Sequence, residues 1–467
     1  MSMTLRFLGA AQTVTGSRYL LDTGARRILV DCGLYQERDF MARNWEPFPV
    51  PPATITDVIL THAHLDHCGW LPALTRQGFR GRVRATAATA DLARISLLDS
   101  ARLQEEDAAF KQARHAREGR TGPYPYTPMY TVADVEACCA QFTPVAGFGP
   151  LDLGDGVELR FREAGHILVA VSVVLRVANG GDPRTVVFSG DLGRWDKPLL
   201  KDPDLCPDAD YVVIESTYGD RIHESAADIQ ERLANVITDT LRRGGNLLIP
   251  TFAIERAQEV LFYLSRLLRA NRVPHLVTFL DSPMAIQVTE LFAKYGGLLD
   301  AETKQMLAEG HSPFEFSGLT MTRSVPQSKA INHVRGTAVI MAGAGMCTGG
   351  RIKHHLVQHL GRRDSTILFV GYQAQGTLGR QIAEGDKEVR IYGQPYKVRA
   401  HVERIEGFSG HADRDELLRW LGGASKPPRH IFVTHGEPAA ATAFSAAIGA
   451  AHGWPVSVPA YGDTATL

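Results

Sequence analysis

The sequence has little cysteine, almost no net charge and no long apolar run, and each shortage excludes a class of protein. Six cysteines among 467 residues include no CxxC pair, which predicts reduced thiols and not a disulfide framework. The formal net charge of −1 argues against a generally basic nucleic-acid coat protein, but leaves a local basic patch open. No apolar run approaches the roughly 20 residues of a membrane-spanning helix, and the start of the chain has no signal-peptide core. We therefore expect a cytoplasmic protein without a membrane partner.

The length and the pattern of apolar runs predict a layered α/β protein of two or three domains. Short β-rich runs such as "DVILTH", "TVVFSGD", "YVVIEST" and "HIFVTHGE" recur, and many such runs end directly in Asp, Glu, His, Ser or Gly. Ligand sites of α/β proteins lie at the carboxyl ends of such strands, so these endings favour an enzyme. A helical pattern follows the N-cap candidate Ser225, and residues 116–130, rich in Pro, Gly and Tyr, predict an ordered loop.

Residues 61–69 read "THAHLDHCG" and place three histidines and an aspartate directly after an apolar strand, although only 17 of 467 residues are histidine. In an extended segment His62 and His64 point the same way, so their imidazoles can serve one point. Asp66 and His67 follow in a turn towards a helix and can serve a second point nearby. Imidazole and carboxylate are ligands that zinc accepts, so the pattern favours a metal site. The alternative is a hydrogen-bonded polar loop.

Further ligand candidates stand at other strand ends. His166 precedes the strand "VAVSVVLRV", whereas Asp191 and His435 follow the strands in "VVFSGD" and "IFVTHGE". Each is weak evidence alone, but together with the histidine cluster they complete a two-metal set. Asp31 ends the strand in "RRILVD", and we expect it to orient a ligand histidine and not to bind metal itself.

These motifs resemble known families in their order along the chain. "LVDCG", "THAHLDHCG", "GH", "SGD" and "THGE" resemble the metallo-β-lactamase fold, and "ESTYGD", "PTFAIERAQEVL", "GAGMCTGGRIKHHL", "GYQAQGTLGRQI" and "FSGHAD" resemble the β-CASP nucleases. The resemblance implies an αββα sandwich, residues 1–216 and 406–467, with an α/β β-CASP domain inserted at 217–405. One departure is Val169-Ala170, where family members often show Gly-Ser.

The resemblance also implies a ligand set and catalytic residues. One Zn²⁺ would take His62, His64 and His166; a second Zn²⁺ would take Asp66, His67 and His435; and Asp191 would bridge them. Glu215 matches the first β-CASP motif, His411 the second and His435 the third. Histidine at the third position is typical of members that act on RNA, so His435 favours RNA over DNA.

We therefore expect a zinc-dependent ribonuclease similar to the short bacterial members, an endonuclease with 5′-3′ exonuclease activity left open. Catalysis is assigned to Asp66, Glu215 and His411, and the products would carry 5′-phosphate and 3′-hydroxyl ends. The partner would be RNA, most simply single-stranded, and a homodimer is left open. The predicted RNA-binding residues are Arg351, Lys353, Gly376, Thr377 and Arg380, with a solvated helix face as the alternative for the nearby arginines 362 and 363.

Two other functions compete with this expectation. The chain could be a metallo-β-lactamase-fold hydrolase of another ester, such as a thioester or lactam, but the β-CASP segments weigh against it. It could also be a catalytically silent RNA-binding subunit. Such subunits usually lose metal ligands, whereas every ligand position here is filled.

Overall fold

The computed structural model describes residues 3–121, 126–178, 182–223 and 229–467. It divides into two compact units: the first comprises Met1–Trp195, Asp202–Ile222 and His411–Leu467, and the second comprises Asp196–Lys201 and His223–Gly410. The second unit is thus an insertion in the chain of the first. Within the described residues, no helix is both long and apolar enough to cross a membrane. The N-cap candidate Ser225 and residues 122–125 of the predicted loop lie outside the described residues.

The β-strands of the described residues are short, most of them four to seven residues long. In chain order they are β1 Thr4–Phe7, β2 Tyr19–Asp22, β3 Arg27–Val30, β4 Asp57–Ile59, β5 Arg82–Thr86, β6 Phe142–Val145, β7 Leu151–Gly154, β8 Val157–Glu163, β9 Val171–Val177, β10 Arg184–Phe188, β11 Tyr211–Ile214, β12 Leu247–Pro250, β13 Val277–Leu280, β14 Leu319–Met321, β15 Ala338–Ala342, β16 Thr366–Phe369, β17 Glu388–Ile391, β18 Gln394–Lys397, β19 His401–Arg404, β20 His430–Val433, β21 Val456–Ser457 and β22 Thr464–Thr466.

The α-helices lie between these strands. They are α1 Leu65–Cys68, α2 Leu71–Arg76, α3 Ala87–Arg117, α4 Val132–Cys139, α5 Ile229–Arg243, α6 Arg256–Arg269, α7 Pro283–Lys294, α8 Ala301–Ala308, α9 Val325–Ala330, α10 Ile352–His359, α11 Leu378–Ala383, α12 Arg414–Leu421 and α13 Pro438–His452. Single turns of 3-10 helix occur at Met41–Trp45, Pro52–Thr54, Gly296–Leu298, Ile331–His333 and Glu406–Phe408. The loop predicted for residues 116–130 starts later than expected, because its first two residues complete α3.

The first unit is a sandwich of two seven-stranded sheets, ordered β22-β1-β2-β3-β4-β5-β6 and β21-β20-β11-β10-β9-β8-β7. Their facing sides form one apolar core, in which Phe7 meets Phe432 with ring centroids 5.1 Å apart. α3 contacts β5 and β6 on one outer side, and α13 contacts β20 and β21 on the other. The predicted αββα sandwich is therefore confirmed.

The second unit contains a six-stranded sheet ordered β14-β13-β15-β12-β16-β19, in which every described pair is parallel. Buried runs such as the "AVIMA" of β15 and the "TILF" of β16 carry no charge, as expected for strands covered on both faces. Parallel strands bring their carboxyl ends, and the loops that follow them, to one edge of the sheet. A separate hairpin pairs β17 with β18.

Candidate active site

The histidine cluster occupies the loop between β4 and α1. His62 and His64 precede α1, whereas Asp66 and His67 lie within its single turn. The turn is held against the chain after β3, where the Cys32 N–H donates to the His67 carbonyl at 2.7 Å. A Cβ at Gly33 would lie 1.6 Å from the Asp66 carbonyl oxygen, so this close approach requires glycine.

Four side chains form the first group of donors. The ligand atoms of His62, His64, His166 and Asp191 all lie within 4.8 Å of one another. His64 Nδ1 is 3.1 Å from His62 Nε2 and 3.2 Å from His166 Nε2. Asp191 Oδ2 faces the same point, 3.4 Å from His62 Nε2 and 3.6 Å from His166 Nε2.

Three side chains form the second group, Asp66, His67 and His435. The Nε2 atoms of His67 and His435 are 3.1 Å apart, and Asp66 Oδ2 lies 3.5 Å from His435 Nε2. The other oxygen of Asp191, Oδ1, is 3.2 Å from His67 Nε2 and 3.6 Å from His435 Nε2. Asp191 thus presents one carboxylate oxygen to each group.

The donor set fits metal ions. His67 Nδ1 lies 2.7 Å from Asp31 Oδ2, so the ring proton sits on Nδ1 and a neutral ring keeps a lone pair on Nε2. That nitrogen lies 3.1 Å from the Nε2 of His435. Burial lowers the pKa of His67, but the carboxylates of Asp191 and Asp31 outweigh burial and raise it, so this position favours positive charge, which a cation between the rings would supply. Burial lowers the pKa of His64 to about 4, and that of His62 also falls well below its ordinary value, so these imidazoles are neutral as metal ligands must be.

Asp191 supplies the negative charge of the site. Burial alone would raise the pKa of its carboxyl, but His435, His67 and His62 outweigh burial and hold the pKa well below its ordinary value. Both oxygens are therefore anionic while 98% of the residue surface is shielded from solvent. A buried carboxylate of this kind needs positive charge beside it. Metal ions or charged imidazoles can both provide that charge.

Asp31, Thr61 and Thr217 form the hydrogen bonds that orient the imidazoles. Asp31 Oδ2 contacts both His67 Nδ1 and the Thr61 hydroxyl, the latter at 2.8 Å. Thr217 Oγ1 lies 3.1 Å from His435 Nδ1. Sequence reasoning assigned an orienting role to Asp31 but missed Thr61 and Thr217. The available signal was their position inside the motifs "THAHLDHCG" and "ESTYGD".

A third cluster joins Glu215 and His411 at the same strand ends. Glu215 is 1% exposed, and its Oε2 lies 3.2 Å from His411 Nδ1. The Leu192 N–H donates to Glu215 Oε1 at 2.6 Å, which fixes the carboxylate. Burial lowers the pKa of His411, but the charge of Glu215 outweighs burial and raises the pKa to about 9. Asp191, Glu215 and His411 also have ligand atoms within 4.8 Å of one another, so this trio too has the composition of a metal site.

Backbone contacts hold His411 in place. The Ala412 N–H donates to the Leu192 carbonyl at 2.7 Å. α12 then begins with a capping box, in which Asp413 and Glu416 each accept from the other's backbone N–H. The His411 side chain is 21% exposed. Four other imidazoles have a nitrogen 3.2–3.6 Å from an Asp191 oxygen and are at most 3% exposed: His62, His67, His166 and His435. His411 is thus more accessible than these four imidazoles.

The predicted RNA-binding residues lie in the second unit, apart from this cluster in the chain, and several have partners there. Arg351 pairs with Asp281 at 2.6 Å and also donates to two backbone carbonyls. Lys353 Nζ lies 4.8 Å from the Tyr392 ring centroid. Gly376 has φ +80°, Thr377 caps α11 by accepting from the Arg380 N–H, and Arg380 pairs with Glu384. Binding of RNA by these five residues stays a prediction.

Three domain families match the chain along most of its length. Residues 13–217 match the metallo-beta-lactamase superfamily, residues 257–382 the Beta-Casp domain, and residues 395–459 the Zn-dependent metallo-hydrolase RNA specificity domain. These matches and the donor set together indicate a metal-dependent hydrolase.

Similar proteins cover the chain almost completely. Ribonuclease TTHA0252 of Thermus thermophilus is 40% identical over 97% of this chain and 98% of its own length. Transcription termination factor FttA of Methanocaldococcus jannaschii is 31% identical over 92% of this chain, which spans 66% of that relative. A crystal structure of a protein of unknown function from Enterococcus faecalis V583 superposes with a TM-score of 0.53 at 11% identity and full coverage of both chains, which shows the fold alone.

Proposed function

Since this chain belongs to the β-CASP family of metallo-β-lactamase-fold hydrolases, we propose that it is a zinc-dependent ribonuclease that hydrolyses RNA phosphodiester bonds. The main support is that the two oxygens of Asp191 face two separate groups of metal-ligand donors, and that the Glu215–His411 pair lies beside them. This is the arrangement expected of a two-metal centre with a separate proton donor. The name of the Thermus ribonuclease supports RNA as the substrate.

Two Zn²⁺ ions are proposed for the two groups. His62, His64 and His166 would hold one, Asp66, His67 and His435 would hold the other, and Asp191 would contact both. When bound, such ions supply a strong nucleophile at neutral pH and neutralise charge on the phosphate. Hydrogen bonds with Asp31 and Thr217 orient the rings of His67 and His435, respectively.

Asp66 and His411 carry the proton chemistry of the proposal. Asp66 is 18% exposed at its side chain, so one oxygen can accept a hydrogen bond from the attacking water. Glu215 holds His411 Nδ1, which leaves the Nε2–H of a protonated ring to protonate the leaving O3′. The products carry 5′-phosphate and 3′-hydroxyl ends. This route never uses the 2′-hydroxyl, so preference for RNA over DNA rests on the family.

Further proposals concern the substrate, the mode of cleavage, the location and the domain bounds. The enzyme acts in RNA processing or decay on single-stranded RNA, as an endonuclease that can also degrade from the 5′ end. The six free cysteines support a cytoplasmic location. The division into residues 1–216, 217–405 and 406–467 is also proposed, and the insertion of one compact unit in the chain of the other supports it.

The test uses RNA labelled separately at its 5′ and 3′ ends. Metal-loaded protein should produce internal fragments from both substrates, with 5′-phosphate ends that a phosphate-dependent exonuclease accepts, and chelator should stop the reaction. A hydrolase of another ester would leave both RNAs intact, and a silent RNA-binding subunit would shift them in a gel without cutting. Either result would refute the proposed activity.

A further inference from the structure

Two large aromatic rings are exposed at the carboxyl edge of the parallel sheet in the second unit. Phe252 follows β12 and Tyr372 follows β16, and these side chains are 39% and 49% exposed. β12 and β16 are paired in parallel, so both residues lie beyond the same ends of neighbouring strands. Ligands of open parallel sheets bind at this edge.

Glycines frame the Phe252 ring. A Cβ at Gly345, in the loop after β15, would lie 2.7 Å from Phe252 Cδ2. A Cβ at Gly371, the residue before Tyr372, would lie 3.9 Å from Phe252 Cε2. The loops after three adjacent strands therefore meet at this ring, and the lack of a side chain at Gly345 leaves space for it.

Hydrogen bonds fix these loops to one another. Gln373, 7% exposed, donates from Nε2 to the Gly345 carbonyl at 3.1 Å and the Gly371 carbonyl at 3.3 Å. The Arg256 guanidinium donates to the Val370 carbonyl on the same side. The segment that carries Tyr372 is thereby tied to the loop beside Phe252. A contact surface held in this way loses little conformational freedom when it binds a ligand.

The chemistry of the loops selects the ligand. Residues 251–254, 343–350 and 371–377 contain no Asp, Glu, Lys or Arg, so these three loops offer aromatic faces and no carboxylate that would repel a phosphate. Arg380 adjoins them, because its Nη1 donates to the Gln373 carbonyl, but its guanidinium is paired with Glu384. The uncharged aromatic surface is therefore the feature that suits a ligand, and it suits the planar bases of a single strand.

We propose that Phe252 and Tyr372, the aromatic pair, stack on bases of single-stranded RNA and hold it on the second unit. The identity of the polymer rests on the proposed function. Stacking on aromatic faces tolerates any base, because every base has a π-face. The aromatic pair therefore contributes affinity for single strands and little sequence preference.

The test measures stacking directly. RNA containing 2-aminopurine is mixed with the metal-loaded full chain, and its fluorescence is read in a stopped-flow instrument before cleavage. Wild type should quench the fluorescence. Phe252→Leu and Tyr372→Leu, which keep an apolar side chain, should each reduce the quenching and weaken binding by about 5- to 150-fold, the range of one lost base stack. Phe110→Leu is the matched control, an aromatic 58% exposed on α3 of the first unit, and should match wild type.

An abasic RNA completes the experiment. It should bind wild type more weakly than normal RNA by about the product of the two single-variant factors, whereas the double variant Phe252→Leu/Tyr372→Leu should bind both RNAs alike. If the variants quench and bind like wild type, the aromatic pair does not stack on bases, and the proposal is wrong. Quenching without any cleavage ladder would contradict the proposed ribonuclease and keep this inference. If both variants cleave RNA and quench the fluorescence like wild type, the ribonuclease proposal stands and the stacking proposal is wrong.

Discussion

At the scale of single residues, Asp191 decides whether this cluster is a metal centre or a hydrogen-bonded polar loop. Its oxygens lie 3.2–3.6 Å from four imidazole nitrogens, two in each group. Hydrogen bonds from protonated imidazoles to Asp191 would have similar lengths, so the two arrangements are distinguished by whether the protein binds metal ions. Removing the charge separates the two cases, because only a metal centre loses bound ions.

Asp191→Asn should therefore lose metal and activity together. Elemental analysis of wild type purified without chelator should find about two zinc ions per chain, the content of a two-metal site. The variant should retain at most one zinc ion per chain. Its cleavage rate should fall by more than about 100-fold, because mutation of residues that only support metal ligands already lowers activity about 10- to 100-fold. Asp107→Asn, an exposed carboxylate of α3, is the control. A fully loaded, active Asp191→Asn protein would remove Asp191 from the ligand set.

His411 separates proton transfer from metal binding. His411→Ala should keep its zinc and its affinity for RNA but lose about 10²–10⁴-fold in cleavage rate, as expected when an acid–base group is removed. RNA with a 3′-bridging phosphorothiolate has a leaving sulfur that needs little protonation. The variant should recover much of its rate on that substrate, whereas wild type gains far less. Loss of zinc, or no recovery with sulfur, would make His411 a ligand or an orienting group.

At the scale of secondary-structure elements, the site depends on how closely α1 approaches the chain after β3. Gly33→Ala would place a Cβ 1.6 Å from the Asp66 carbonyl and 2.9 Å from the His67 backbone nitrogen. The turn that carries Asp66 and His67 must then move. We expect a stability loss of about 1–3 kcal/mol, typical of overpacking, together with weaker zinc binding. Urea unfolding and zinc titration measure the two effects.

The control for this change is Gly149→Ala, because a Cβ there meets nothing within 4 Å. It should leave both the unfolding midpoint and zinc affinity close to wild type. If Gly33→Ala behaves in the same way, the loop adapts without moving the ligands. The close approach would then be dispensable for the site.

The sequence predicts elements and their strand-end residues well because both are local patterns. Buried strands such as β20 are short branched runs, and the polar residue that ends each run, such as His435, stands beside it in the chain. The helix α3 was missed, although 31 residues without Gly or Pro after the cap Thr86 are a usable signal.

Long-range pairs are what the sequence could not supply. Arg351 resembles a surface cation in its local context, yet its partner Asp281 lies 70 residues away in the chain. The bond between Thr217 and His435 spans 218 residues. Such contacts depend on how strands are ordered in the sheets, and no local periodicity encodes that order.

At the scale of the whole molecule, stability should depend on pH through a buried charge cluster in the second unit. Glu255, at the start of α6, is 4% exposed with φ 67°, and burial followed by the charge of Glu259 raises its pKa to about 8. Lys197 and Arg256 act in the opposite direction, and Asp300 adds a smaller repulsion. The folded protein therefore keeps a proton on Glu255 that the unfolded chain releases near its ordinary pKa of about 4.5.

A raised pKa gives stability that is complete below pH 4.5 and is lost as the pH rises to 8. Glu255→Gln cannot ionise, so its free energy of unfolding should exceed that of wild type increasingly between pH 5 and pH 9. Each tenfold change in proton affinity corresponds to about 1.4 kcal/mol, so the gap should reach a few kcal/mol. Urea unfolding of both proteins across this range gives the difference, which cancels the titration of the histidine cluster common to both. Glu388→Gln, an exposed glutamate of β17 in the same unit, should show a constant difference. A pH-independent gap for Glu255→Gln would mean that Glu255 is already ionised in the folded protein and compensated by Lys197 and Arg256.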